Sequence, residues 1–281
     1  MTKARKISFF IASLLLVLGL FVGVLGLALM HFDLRNLDNG IYREVETVID
    51  EEFDSIKIDA STADIRFAVS DDGTCRVVCY EHEKMAHRAE VTDGVLTIAL
   101  EDNRAWYDHI SFYLRSVEIV VYLPRATFDS LEISASTADV SIEGFNFGEL
   151  SVRLSTGDIT LTDVTADKMT LGVSSGDISL DTLTASSLAI ETGTGDVMLT
   201  DTVVAALTVV TDTGDVELVR VDAWEIEITT DTGDVSGTLC SGKLFTTSTD
   251  TGDVSVPAND ASGGTCSITT DTGDIDIRIV D

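Results

Sequence analysis

One short motif, returning at a fixed interval, limits what this chain can fold into. It reads Ser, Gly or Asp, then Thr or Ser, then Gly or Ala, then Asp, then Ile or Val. It occurs at Ser61–Ile65, Ser136–Val140, Ser155–Ile159, Ser174–Ile178, Gly193–Val197, Asp212–Val216, Asp231–Val235, Asp250–Val254 and Asp271–Ile275. From the second copy onward its aspartates are Asp139, Asp158, Asp177, Asp196, Asp215, Asp234, Asp253 and Asp274, evenly spaced except for a slightly longer last gap. A fixed period of this length marks units that stack along an axis, each too small to bury its own apolar face.

Counting Asp as position 1, positions 2, 4, 12 and 14 of each unit are apolar: Ile159, Leu161, Met169 and Leu171 in one, Val216, Leu218, Ile226 and Ile228 in another. Thr, Ser, Asp and Glu fill most places between them. Alternation with period 2 predicts two short strands per unit, each with one buried face. Gly before Asp permits positive φ at a corner, and an Asp side chain accepts nearby backbone N–H groups. The expected fold class is all-β, a β-solenoid or parallel β-helix-like stack of coils of about 19 residues. The array proper is expected over residues 139–281. Ile275, Ile277 and Ile279 form the last strand, and no C-terminal cap follows, so that edge is expected to be open to pairing.

Residues 45–138 are expected to form an N-terminal β cap with the first coils. Phe53-Asp54-Ser55-Ile56 and Ser61-Thr62-Ala63-Asp64 recur, with the same internal spacing, as Phe128-Asp129-Ser130-Leu131 and Ser136-Thr137-Ala138-Asp139. Val91 to Val95 reads as a hairpin turn around Asp93-Gly94, and Val117–Leu123 reads as a strand.

Ile7 to Met30 carries no charged residue. Its 24 residues, at roughly 1.5 Å each, span about 36 Å, enough for a bilayer core of about 30 Å. Lys3, Arg5 and Lys6 precede it and no acidic residue occurs before Asp33, which keeps the basic side in the cytoplasm. The expectation is a single-pass protein of the cell membrane: cytoplasmic tail 1–6, transmembrane helix 7–30, linker 31–44, and an extracellular C-terminal domain. The apolar core is long for a cleaved signal peptide, and Leu27-Ala28-Leu29-Met30-His31 offers no small-x-small site. Gly19 and Gly23 form one GxxxG, a spacing used in helix pairing and also common in such helices without it.

Three of the 18 basic residues and none of the 48 acidic ones lie before residue 31, leaving 15 against 48 in the remainder. Such a surface repels nucleic acid and anionic lipid and attracts cations or basic proteins. The four cysteines, Cys75, Cys79, Cys240 and Cys266, make no dense disulfide framework. Cys75 and Cys79, four apart on an expected strand, stand roughly 13 Å apart, too far to bridge.

Several constellations invite chemistry. Asp-Thr-Gly, the triad of aspartic proteases, begins at Asp212, Asp231, Asp250 and Asp271. A protease needs two such carboxylates face to face, whereas these follow the coil period. His82 and His87 resemble HExxH with one residue too many, so the two would not share a helix face. With Cys75 and Cys79 nearby they form a zinc candidate, against the plainer reading of a polar strand-to-loop segment. The run from Asn103 to His109 is an aromatic-rich polar loop that fits either an interface anchor or cap packing. Stacked aspartates about 5 Å apart repel by roughly 0.8 kcal/mol per pair in water, and by about 3 kcal/mol at an effective dielectric of 20. Either each carboxylate accepts N–H groups of its own turn, or cations lie between coils. Calcium, with six to eight oxygen ligands, suits the second case. The candidate metal ligands are Asp212 with Asp215, Asp231 with Asp234, Asp250 with Asp253 and Asp271 with Asp274. No catalytic residue and no other cofactor is expected.

The FDSIKIDASTADI run from Phe53, the VYLP before the array (Val121 to Pro124) and the STGDI and DTGDV units resemble the bacterial "putative adhesin" β-strand-repeat family, a domain of unknown function. The resemblance covers nearly the whole chain. It implies a cell-surface β-repeat protein, frequent in Gram-positive bacteria, with some members tied to envelope stress, and it carries over no catalytic residues. Three functions are weighed. The first is a non-catalytic surface binding, adhesion or scaffold module whose partner is a cell-surface protein or polymer. The second is an envelope-stress accessory that binds a membrane partner. The third is a polysaccharide-active β-helix enzyme, which needs long loops between coils that units of constant, short length do not provide.

Overall fold

The computed structural model describes residues 12–21, 24–25, 41–82, 85–102 and 117–280. The chain divides into two units, one of residues 1–41 and 104–115, the other of 42–103 and 116–281. In the first, residues 12–21 and 24–25 are helical. No helix among the described residues is long and apolar enough to cross a membrane; the rest of 7–30 lies outside the described residues. The aromatic-rich run from Asn103 to His109 also lies outside them.

The second unit is a β-solenoid. Its repeating coil is clearest in β11 (Ile159–Ser175) and β12 (Ile178–Thr194), which pair in parallel with each residue facing its equivalent in the next coil: Ile159 opposite Ile178, Leu171 opposite Ile190. Along β11, Ile159, Leu161, Val164, Ala166, Met169, Leu171 and Val173 are buried. The alternation restarts after Asp163 and after Lys168, and Gly176 closes the coil. A coil therefore has three short faces rather than the two strands expected. One corner is held by Gly with φ near +150°, as at Gly176 and Gly195. Another is held by a non-glycine residue with positive φ: Asp163 (52°), Thr182 (59°), Asp201 (48°) and Arg220 (55°).

The same register carries through β8 (Thr127–Thr137), β10 (Asn146–Thr156), β14 (Val203–Thr213) and β15 (Val216–Thr232). On another face it carries through β9 (Val140–Glu143) and β13 (Val197–Thr200) and into β16 (Val235–Leu239), where it shifts by one residue between Leu218 and Val221. The first coil is β2 (Ser55–Thr62) with β3 (Asp64–Val69). Ser55 lies opposite Ser130 and Thr62 opposite Thr137, the pairing that the recurrent segments in the sequence imply. Between the first coil and the second, the chain leaves the stack and builds its end. β4 (Cys75–His82) runs antiparallel to β1 (Tyr42–Ile49) and to β7 (Glu118–Leu123). β5 (Met85–Thr92) and β6 (Val95–Asp102) form a hairpin whose turn residues Asp93 (φ 51°) and Gly94 (φ 79°) both have positive φ, as a type I′ turn demands.

The other end departs from expectation. β17 (Leu244–Thr251) and β18 (Val254–Ser255) do not stack on β15 and β16. The final strands, β19 (Thr265–Thr272) and β20 (Ile275–Ile279), lie between them: β15 pairs β19 and β19 pairs β17, while β16 pairs β20 and β20 pairs β18. The chain thus skips one level and returns to fill it. Ile275 and Ile277 are buried inside the stack, and the open edge belongs to β17 and β18, where Leu244 and Val254 are exposed.

Beneath the glycine corners runs a column of inward threonines, Thr192, Thr211, Thr230 and Thr270, all buried. The hydroxyls of Thr192 and Thr270 reach the carbonyls of Gly176 and Gly233 at 3.4 and 3.2 Å. Among the described residues, the hydroxyls of Thr211 and Thr230 find no partner. A buried unsatisfied hydroxyl costs on the order of 1 kcal/mol or more. Thr211→Val, which keeps the shape and removes that group, is expected to raise the melting temperature by roughly 2–4 °C, read by thermal circular dichroism.

Candidate functional site

Two surfaces and one buried cluster concentrate functional side chains. The first surface is the aspartate edge. The Oδ1 of Asp139 accepts the backbone N–H of Asp158 at 3.0 Å, and those of Asp158, Asp177, Asp196 and Asp215 accept from the next aspartate at 2.8 Å. Asp234 accepts from Asp274, and Asp274 from Asp253, both at 2.7 Å. The carboxylates thus hold the next coil, not their own turn. Each ladder step is a charge-assisted bond, which offsets the repulsion between neighbours.

Of the expected calcium ligands, Asp215, Asp234 and Asp274 each spend an oxygen on such a bond, and Asp253 lies in the outermost coil. Asp212, Asp231, Asp250 and Asp271 are exposed along the same edge. The four Asp-Thr-Gly copies therefore lie side by side, not face to face. Because each ladder carboxylate already spends one oxygen on the next coil, calcium is expected to raise the melting temperature no more than sodium chloride of equal ionic strength, with both acting through screening. A titration monitored by melting checks this.

The second surface is a shallow groove of about 930 Å³ on the outer face of β10, β11, β12 and β14. Gly172, Ala189 and Gly193 form its floor, with Arg153, Glu191 and Asp212 among its lining. It exists because outward positions that elsewhere carry Thr or Glu are here nearly bare. A Cβ built on Gly172 meets nothing nearer than 3.9 Å, so its small size leaves open space. The sequence reading did not single out this groove.

The buried cluster is in the end structure. Cys75, Val77, Cys79 and Glu81 alternate along the inward face of β4, and all four are buried. Glu81 is the acidic member of that row, with its side chain fully enclosed. Its Oε2 accepts the backbone N–H of His87 at 2.6 Å and lies 2.9 Å from His87 Nδ1. Among the described residues, Glu81 Oε1 and His87 Nε2 have no partner. Burial, with a smaller contribution from the Glu81 carboxylate, pushes the Cys79 thiol up to about 12. The sequence reading named Cys75, Cys79, His82 and His87. The structure keeps Cys79 and His87 together, turns His82 edge-on to Tyr42 (ring centroids 5.6 Å apart), and adds Glu81. An acidic residue at the end of an alternating strand looks like a solvated one, so only its inward phase, shared with Val77 and Cys79, could have signalled burial.

The family profile described as Toastrack DUF4097 matches residues 53–236 and 166–281. Among curated proteins, none matches this sequence. Among solved structures, a "putative adhesin" from Bacteroides fragilis is similar at a TM-score of 0.57 and 15% identity, over 85% of this chain and 97% of that one. A "putative adhesin" from Parabacteroides distasonis gives 0.47 and 16%, over 85% and 98%. A "putative lipid binding protein" from the same organism gives 0.44 and 16%, over 86% and 98%. The likeness to the first is one of fold.

Proposed function

We propose that this chain, which belongs to the Toastrack DUF4097 family, is a non-catalytic binding module of the cell surface whose outer groove takes an extended segment of a surface polymer or protein. The observation that carries this reading is the groove itself, floored by Gly172, Ala189 and Gly193 and lined by both signs of charge, on a face whose strands hold one unbroken register. Rigid sheet faces with few loops suit recognition of a repetitive ligand by many small polar contacts. The strongly acidic surface around it disfavours nucleic acid.

Residues 7–30 are proposed to anchor the module in the membrane with the strands outside. The described part of that stretch supports this: Leu14, Leu15, Leu16, Val17, Leu18, Leu20 and Phe21 are helical and exposed. A helix apolar on all sides needs lipid or protein around it.

The test fills the groove. Gly172→Gln adds a side chain in open space and is expected to leave melting unchanged while weakening binding of the full chain, in nanodiscs, to purified cell-envelope glycan or surface protein at least tenfold. Equal binding by the variant would reject the groove as the site. Recovery of the chain in the alkali-washed membrane fraction tests the anchor, and release into the supernatant would reject it.

A further inference from the structure

We propose that Cys79, Glu81 and His87 form a binding site for a divalent transition metal, zinc-like in its preferences, in the end structure of the solenoid. This inference is independent of the groove reading.

The three residues come together by strand geometry. Cys79 and Glu81, at i and i+2, project from one face of β4, and His87 enters from β5. One ligand atom from each lies within 4.8 Å of the other two, and all three residues are buried; among the described residues no other group of this kind occurs. The set of thiolate, carboxylate and imidazole is that of a borderline metal such as zinc, not of calcium or magnesium.

The polar inventory points the same way. A fully buried carboxylate costs several kcal/mol unless it is paired and fully hydrogen-bonded. Here Glu81 satisfies one oxygen through His87 and, among the described residues, leaves Oε1 without a partner, while His87 leaves Nε2 without one. Side chains only 1% and 2% exposed, each with an atom that the contacts within the cluster leave unsatisfied, beside a buried thiol, mark a polar cluster whose ligand atoms a cation could draw together. Among the described residues, Cys75 and His82 do not complete the network. Cys75 is four residues back along the same strand, roughly 13 Å away, and His82 packs against Tyr42.

Binding balances simply: Cys79 gives up its thiol proton to solvent as sulfur bonds the metal, and the carboxylate and neutral imidazole donate lone pairs. The structural consequence follows from position. β4 joins β7, and through it β3, on one face. β5 joins β6, and through it β2, on another. A metal between β4 and β5 therefore staples two faces at the end where stacking stops.

The experiment uses the full chain in detergent, stripped of metal and titrated with cobalt(II) and zinc(II). The expected result is one equivalent bound, a thiolate-to-cobalt charge-transfer band with the visible bands of a four-coordinate ion, displacement by zinc, and a zinc-dependent rise in melting temperature. Cys79→Ser is expected to abolish the charge-transfer band. Glu81→Gln and His87→Gln are each expected to weaken binding by more than the roughly 10–100-fold that losing an outer-shell partner costs. If Cys79→Ser fails to fold, a variant with Cys75, Cys240 and Cys266 changed to Ala must keep the band on Cys79 alone. No binding by the wild type, or a band that survives Cys79→Ser or vanishes when only Cys79 remains, would overturn the site and leave Glu81 and His87 as a buried hydrogen-bonded pair.

Discussion

Gly195→Ala is expected to lower the melting temperature by roughly 10 °C or more. Gly195 holds a corner at φ 147°, where side-chain-bearing residues are strained by about 1–3 kcal/mol. A Cβ there would sit 2.0 Å from the carbonyl oxygen of Gly176 in the adjacent coil. That overlap can be relieved only by pushing two coils apart, which lengthens the ladder bonds on either side, Asp177 to Asp196 and Asp196 to Asp215, now both 2.8 Å. Adding about 1–3 kcal/mol for the overlap gives a total near 4 kcal/mol, and each kcal/mol is worth roughly 2–4 °C in a domain of this size. Gly172→Ala is the matched control: its Cβ finds open space, so melting should stay level or rise slightly. Equal effects at the two positions would mean that the corner yields more easily than its geometry implies.

Lys243→Met should loosen the far end of the stack. The Lys243 side chain is fully buried, and its ammonium donates to the carbonyls of Ala223, at 2.5 Å, and Gly263, and to Ser241 Oγ at 2.7 Å. These groups belong to β15, to the segment before β19 and to the segment before β17, so one cation ties together the levels where the chain skips and returns. Methionine has nearly the same reach but no donor. It strands three acceptors at about 1–3 kcal/mol each, against which stands the relieved cost of burying a charge. The net expectation is a loss of about 3 kcal/mol, localised so that amide exchange quickens in β17 to β20 while β11 and β12 keep their protection. Uniform loss of protection would contradict a local tie. Burial depresses the Lys243 pKa below its ordinary 10.5. The unfolded chain therefore binds this proton more tightly, and stability at this site rises with pH between the depressed value and 10.5, then levels off.

Much of the stack was legible in the sequence. The period, the inward positions such as Ile159 and Leu171, and the recurrence of Ser55 as Ser130 all reflect one repeated demand, an apolar ladder inside a coil. The corner at Asp163, Thr182, Asp201 and Arg220 was not legible, because three different residue types take the same positive φ under the constraint of their neighbours and leave no one letter common to all coils. The aspartate motif was visible but not its partner, since bonding within a turn and across a coil call for the same residue. Least legible was the strand order at the end: Asp253 follows Asp234 at the same interval as every earlier pair, and nothing local says that Asp274 will take its place. Of the buried cluster, Cys79 and His87 were readable as metal-ligand types, whereas Glu81 was hidden by its resemblance to a surface residue.

The skipped level has a kinetic meaning. A solenoid whose coils follow chain order can grow as the chain emerges, each new coil settling on the last. Here residues 244–255 carry the same spacing and the same Asp as their predecessors, so they can settle on β15 and β16 as soon as they appear. The final fold requires that place for residues 265–279, which arrive later. The end of the protein therefore has two competing arrangements of similar chemistry. Reaching the threaded one requires either that the last two coils dock together or that an early guest is displaced, and a slow final phase in refolding is its signature.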